Sequence, residues 1–214
     1  PGKIALGKAW REALGGRKVW LAASTREGEE ALVLEAWRGI AASGALLVLV
    51  PRHPQRFVEV AALLTRLGIE FVRRSDSLPG PNTQVWLGDS MGEMAAYYAL
   101  ADIAFVGGSL LPLGGQNLIE AAACACPVVV GPHTYNFEQA TADAIAAGAA
   151  LRVADADGLA VVIGSALSGD SRELGKMRAA ALIIGGSAAC VARCRAILAS
   201  VSSGNACTAS LMRK

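Results

Sequence analysis

The residues whose types and spacing suit chemistry gather between Phe105 and Phe137. Asn117 and Glu120 stand three apart, which places an amide and a carboxylate on one face of a first helical turn. A carboxylate accepts hydrogen bonds without donating any, so Glu120 is suited to grip two vicinal hydroxyls such as those of a ribose. The same Asn-x-x-Glu spacing is a capping box, in which both side chains satisfy helix N–H groups, and spacing alone leaves the two readings open. Ahead of the pair the chain breaks at Gly107-Gly108-Ser109 and again at Gly114-Gly115-Gln116. Glycines let backbone come close to a ligand at φ > 0, and the first free N–H groups of the next helix lie at its positive end. A phosphate suits such a corner.

Other loops add polar groups. Pro51-Arg52-His53-Pro54 sets a guanidinium between two prolines, which narrow the turn and aim Arg52 as a phosphate partner; the plainer alternative is a helix start with Arg52 in solvent. His53 reads first as a hydrogen-bonding residue at a helix entry. Gly88-Asp89-Ser90-Met91-Gly92-Glu93 has two glycines before a helix, with Met91 either a ligand contact or a core filler. Ser24-Thr25-Arg26-Glu27-Gly28 and Gly131-Pro132-His133 complete the set.

Strands must position these loops. Residues 18–23, 46–50, 69–72, 83–87, 102–106 and 128–130 are short apolar runs ending at the loops just named, and 149–153 reads as a further strand. Between them lie helical patterns, clearest in Val33, Ala36, Trp37 and Ile40 at i, i+3, i+4 and i+7, and in Phe57, Val60, Ala61, Leu64 and Leu67. A strand, glycine loop, helix and strand in order form a βαβ unit with parallel strands buried on both faces. The expected fold is therefore α/β, a Rossmann-like doubly wound parallel sheet of about six strands, with ligands at the carboxyl ends of the strands. Residues 1–16 read as a linker or a short helix at 9–14, residues 17–200 as the nucleotide-binding domain, 170–198 as one or two alanine-rich helices, and 201–214 as a disordered tail.

Composition narrows the classes. The chain has 214 residues, 53% of them hydrophobic, enough for one sizeable core. A net charge of +2 with scattered basic residues and few aromatics argues against a nucleic-acid partner. Five cysteines without a CxxC pair fit reduced thiols, and Cys190 and Cys194 have neither histidine nearby, so no metal is expected. No apolar run is long enough to span a bilayer, so the chain is expected to be soluble. It begins with Pro1 rather than Met, as a piece of a longer protein would.

The run Gly107-Gly108-Ser109, Gly114-Gly115-Gln116-Asn117 with Glu120, and Gly131-Pro132-His133-Thr134-Tyr135-Asn136-Phe137 closely resembles the carboxyl-terminal half of bacterial 3-deoxy-D-manno-octulosonic acid (Kdo) transferases. The likeness extends to Ala23-Ser24-Thr25 with Gly28-Glu29, to Pro51-Arg52-His53-Pro54 and to Gly88-Asp89-Ser90-Met91-Gly92-Glu93, in order across residues 17 to 165. The resemblance implies the donor-holding half of a GT-B glycosyltransferase that moves Kdo from CMP-Kdo to a lipid A precursor with inversion, at the cytoplasmic face of the bacterial inner membrane. It implies that Arg52, Ser109 and Asn117 contact the phosphate, Glu120 the ribose, and Met91 and Gly92 the cytosine. Gly107, Gly108, Gly114, Gly115 and Gln116 complete the donor site, and Ser24, Arg26 and His133 are further candidates. No cofactor or metal is implied, and the general base is a glutamate of the amino-terminal acceptor half, so this chain alone is expected to bind CMP or CMP-Kdo and catalyse nothing. Many relatives carry His at the positions of Arg26 and Gln116; Gln116 cannot titrate near neutral pH, whereas Arg26 is a permanent cation suited to an acidic sugar. Two rivals are a UDP-sugar-dependent GT-B domain and a non-catalytic nucleotide- or sugar-binding module.

Overall fold

The computed structural model describes residues 2–168 and 171–186. Seven strands form one all-parallel sheet: β1 (Val19–Thr25), β2 (Leu46–Pro51), β3 (Phe71–Arg73), β4 (Val85–Leu87), β5 (Ile103–Val106), β6 (Val128–Val130) and β7 (Ala150–Arg152). Their order is β3-β4-β2-β1-β5-β6-β7. The sheet thus has seven strands where about six are expected, and the further strand read at 149–153 is its last, a three-residue edge paired to β6. Eight helices are described: α1 (Gly2–Ala13), α2 (Glu29–Ile40), α3 (Gln55–Arg66), α4 (Met94–Leu100), α5 (Ile119–Ala123), α6 (Glu138–Ala146), α7 (Ala156–Ser168) and α8 (Ser171–Gly186).

Strand side chains alternate between two apolar layers, as the pleat requires. Trp20, Ala22, Leu47, Leu49, Phe105 and Val129 face α2, α3 and α7, where Val33, Trp37, Leu64, Leu159 and Ile163 meet them. Leu21, Ala23, Val48, Val50, Val106 and Val130 face Trp10, Tyr97, Leu118, Ala121 and Ala144 on the opposite side. Both faces of the central strands are dry. That is why those strands read as unbroken apolar runs rather than as alternating ones.

Of the two readings of the amino-terminal segment the helix holds, and it is longer than 9–14. α1 runs for twelve residues and packs on α4, with Trp10 buried edge-on to Trp86 at 5.0 Å between centroids. Gly7 permits this approach, since any side chain there would run into the backbone carbonyl of Ala96. Arg11 closes the joint with a two-pronged bridge to Asp102 at 2.7 and 3.0 Å, and Asp102 also accepts from the first N–H of β1, Val19, at 2.8 Å. Gly7 is thus a means of close helix packing and not the mark of a linker. At the other end α8 is described to Gly186; the helical expectation to residue 198 and the expected tail at 201–214 lie outside the described residues. Because Trp10 fills a core position, Trp10→Ala should lower stability by about 3–5 kcal/mol, read as a shifted urea midpoint. A midpoint equal to that of the parent chain would restore the linker reading.

Candidate functional site

Strand order reverses direction between β1 and β5: from β1 the chain builds outward to β2, β4 and β3, then crosses to β5, β6 and β7. Loops leaving those two strands splay to opposite faces, and ligands of open α/β sheets bind in the resulting crevice. Here the two strand ends also touch. Ser24 adopts φ 54°, the pairing of β1 with β2 slips between Ala23 and Thr25, and a Cβ on Gly107 would lie 2.5 Å from the Ser24 carbonyl oxygen. Positive φ at a serine is a local strain of the kind concentrated at functional rims.

Four of the expected side chains converge beside this crevice. The Pro51–Pro54 turn follows β2, and Arg52 Nε donates to Gln116 Oε1 at 3.2 Å across 64 residues of sequence. Gln116 is held by its own N–H, which donates to the Gly107 carbonyl at 2.9 Å. Asn117 does not form the capping box: its Oδ1 accepts from the Ile119 N–H, two residues on, at 3.0 Å, while its Nδ2 donates to Glu120 Oε1 at 3.2 Å. Burial pushes the Glu120 carboxyl above the usual carboxylate range, against the opposing pull of Asn117 and Arg52. His53 is held below the usual histidine range by partial burial and by the nearby cations Arg52 and Arg26. The rim therefore carries a positive group at Arg26 and Arg52, an unprotonated imidazole near neutral pH, and an acceptor carboxylate on the far side.

The loop after β4 is braced from below and open above. Asp89 accepts from the Ser75 N–H and hydroxyl at 2.9 and 2.7 Å. Ser90 Oγ donates to Glu93 at 2.6 Å and lies 2.9 Å from the Tyr97 hydroxyl. Glu93 stays below its ordinary pKa in spite of burial, through Ser90, Arg74 and Lys3. On this support Met91 is 55% exposed, and Gly92, at φ 73°, has no atom within 4 Å of where a side chain would start. Met91 is therefore an apolar surface on the rim and not a core filler.

Other expectations need correction. The Ser109 hydroxyl does not face the crevice: the residue is fully buried, its Oγ donating to the Val106 carbonyl at 2.5 Å and accepting from the Gly131 N–H at 2.9 Å. It fastens the end of β5 to the loop after β6. Gly114 and Gly115 do not lie open to a ligand either. Gly114, at φ 89°, is covered by the Asn136 amide and the Tyr135 ring, and Gly115 by the backbone of His133 and Thr134. The close approach that these glycines permit is by the chain's own 133–136 loop. His133 itself is tied in by its N–H to the Ser109 carbonyl at 3.0 Å, and Arg152 clamps Gly131, Pro132 and Thr134 from β7. The α5 helix that follows has only five residues, a short dipole.

The largest correction concerns the first glycine break. Its N–H groups are already filled. Glu29 is wholly buried, and its carboxylate accepts from Gly108 N at 2.5 Å, Ser109 N at 2.9 Å, Leu110 N at 3.0 Å and Arg26 N at 3.0 Å. Gly107 and Gly108 thus shape a nest for an anion, as their sequence suggests, and the anion is Glu29. Its neighbour Glu30 is equally buried and holds Thr25 Oγ1 at 3.2 Å and Arg56 Nη2 at 3.0 Å. A carboxylate just after Gly28 at a helix start ordinarily reads as a dipole complement, which hid this role; the signal was two adjacent glutamates opening an otherwise apolar helix face.

A shallow open groove lined by Thr65, Ile69, Phe71 and Gly80 to Thr83 lies at the opposite end of the sheet, at the start of β3, away from all of these groups. Among the described residues, no group of three or more His, Cys, Asp or Glu is placed to hold a metal ion, and no helix is long and apolar enough to cross a membrane.

No protein-family model matches the chain. It is 55% identical over 161 residues to the 3-deoxy-D-manno-octulosonic acid transferase of Bordetella pertussis, covering 72% of this chain and 37% of that protein. To the transferase of the same name from Haemophilus influenzae it is 51% identical over 126 residues, 58% of this chain and 30% of that one. The chain thus spans about a third of the length of these curated relatives. A crystal structure of the C-terminal CMP-Kdo binding domain of WaaA from Acinetobacter baumannii superposes with a TM-score of 0.81 at 34% identity, covering 87% of this chain and 99% of that domain. HepE of Anabaena, in complex with UDP and glucose, superposes with a TM-score of 0.61 at 16% identity over 95% of this chain and 52% of its own, a likeness of fold alone. The architecture is the Rossmann-like half of a GT-B glycosyltransferase.

Removing the Ser109 hydroxyl leaves the buried Gly131 N–H without its acceptor. Ser109→Ala should therefore destabilise the chain by about 1–3 kcal/mol, measured by urea unfolding; an unchanged midpoint would mean that the hydroxyl is not the fastener between β5 and β6.

Proposed function

The chain belongs to the family of 3-deoxy-D-manno-octulosonic acid transferases, and on that premise we propose that its β1/β5 rim holds CMP-Kdo for transfer of Kdo to a lipid A precursor. The observation that carries this reading is the contact of Arg52 with Gln116 beside the Asn117–Glu120 pair, which puts a cation, two amides and a carboxylate acceptor at one crevice. Arg52 meets the phosphate as a fixed positive group. Glu120 accepts from the ribose hydroxyls, and exposed Met91 with the backbone at Gly92 offers the cytosine an apolar edge. Arg26, whose charge reaches His53 on the same rim, takes the second anion of such a donor, its sugar carboxylate.

The reaction in this reading displaces CMP from the anomeric carbon with inversion. Negative charge builds on the departing phosphate, and the Arg52 guanidinium stabilises it there without need of a metal ion. The acceptor hydroxyl must lose a proton to a base on the opposite side of the sugar. No rim residue described above is assigned that task; it falls to the part of the transferase that these 214 residues do not span, as does the lipid acceptor. Work on such an acceptor implies a peripheral position at the cytoplasmic face of the inner membrane.

Titration of the isotope-labelled chain with CMP tests the reading, and backbone resonances of Met91, Gly92 and residues 116–120 are expected to move together. Equal affinity for UDP would favour a uridine-nucleotide transferase, and a diffuse response would favour an unrelated binding module. Arg52→Gln should weaken CMP binding by about tenfold to a hundredfold, the worth of a charge-assisted hydrogen bond. Because Glu120 binds hydroxyls in its ionised form and its pKa is raised by burial, its contribution is lost as pH falls through that raised value, at a higher pH than for an ordinary glutamate. The ratio of parent to Glu120→Gln affinity, in which titration of the CMP phosphate cancels, should therefore fall toward one on the acid side; a ratio independent of pH would remove Glu120 from the site.

A further inference from the structure

The nest at the end of β5 has the shape of a phosphate site: consecutive N–H groups of Gly108, Ser109 and Leu110 point to one locus at the switch point of the sheet. We infer that Glu29 is a positioning residue that serves as the internal anion of this nest, closing it to ligand phosphate and fixing the rim on which the donor lies. The inference rests on the donor-binding reading above for its consequence, but not for its geometry.

Three features of the structure argue for this role. The carboxylate is wholly buried and accepts four backbone hydrogen bonds, two on each oxygen: Gly108 and Arg26 on Oε2, Ser109 and Leu110 on Oε1. A group so occupied leaves no donor in the nest for a phosphate oxygen. The four N–H groups also come from two different loops, the one after β1 and the one after β5, so a single side chain sets the spacing of both walls of the crevice. Finally, the charged and amide groups that meet at the crevice hang on those walls. Arg26 is itself one of the four donors; the Thr25 carbonyl holds the Arg52 N–H at 2.9 Å; the Gly107 and Gly108 carbonyls hold the N–H groups of Gln116 and Gly115 at 2.9 and 2.6 Å. If the nest loosened, Arg52 and Gln116 would lose their common frame.

The consequence is a division of labour between two kinds of anion recognition. Backbone N–H groups, which cannot be re-aimed, bind the protein's own carboxylate, and the guanidinium of Arg52 is left to bind the ligand's phosphate. A glutamine at position 29 would keep the size of the side chain but bring an NH₂ group against two N–H donors, so it cannot reproduce the four contacts.

NMR of the labelled full chain decides the matter. On addition of CMP, resonances of Met91, Gly92 and residues 116–120 are expected to move while the amides of Gly108, Ser109 and Leu110 stay within a small fraction of that shift. Large shifts at those three amides would mean that the phosphate enters the nest and displaces Glu29, and would overturn the inference without any variant. Glu29→Gln should bind CMP at least tenfold more weakly well below its unfolding temperature; affinity equal to the parent's would overturn the positioning role, whereas a purely structural role would lower the unfolding temperature alone. If no resonance of the parent chain responds to CMP, the donor reading fails, and hydrogen exchange of the ligand-free protein still decides: exchange at Gly108 to Leu110 accelerated at least tenfold in Glu29→Gln, or in Glu29→Asp should the first variant not fold, supports the internal anion, and unchanged protection refutes it.

Discussion

A single buried carboxylate sets the geometry of this protein's working rim. In a doubly wound sheet the two strands flanking the switch point send their loops to opposite faces, so the pairing of β1 with β5, which runs to Ala23 and Val106, does not by itself hold together the loops beyond it. Glu29 supplies that constraint by taking hydrogen bonds from Arg26 after β1 and from Gly108, Ser109 and Leu110 after β5. Four charge-assisted bonds to one dry group form a rigid link, and its rigidity is what lets two weakly attached side chains, Arg52 and Gln116, meet.

The rest of the rim follows the same plan at lower stakes. Ser109 ties β5 to the loop after β6, Arg152 ties that loop to β7, and the Ser90–Glu93–Tyr97 group braces the loop after β4. In each case a buried polar group joins neighbouring loops, while the groups that face outward, Arg52, Met91 and Gly92, are left without comparable support. Rigid frame and adaptable contacts are thereby separated.

α1 extends this frame beyond the expected domain. Its packing on α4, the wedge of Trp10 against Trp86 and the Arg11–Asp102 bridge place it in the same layer as the helices of the βαβ units. Arg74 lies 4.9 Å over the Trp10 ring and contacts Glu93 at 3.2 Å, so the helix also reaches the support of the Met91 loop. The first residues of the chain thus bear on the rim through two side chains that no local motif would connect to it.

Much of this was legible in order along the chain. Short apolar runs located all seven strands to within a residue or two at most ends, helix periodicity located α2 and α3, and parallel topology followed from their alternation, because local propensity and burial on both faces act through neighbours in sequence. Residue types together with the family resemblance also named Arg52, Gln116, Asn117 and Glu120, which do meet. What sequence could not assign was the partner of each polar group. Whether Ser109 faces a ligand or Gly131, whether Gly114 admits a phosphate or Asn136, and whether the first glycine nest is empty or filled from 79 residues away by Glu29 depend on which loops the sheet order makes adjacent. Hydrogen-bond partners at a rim are chosen by distance in space, and only the tertiary structure sets that distance.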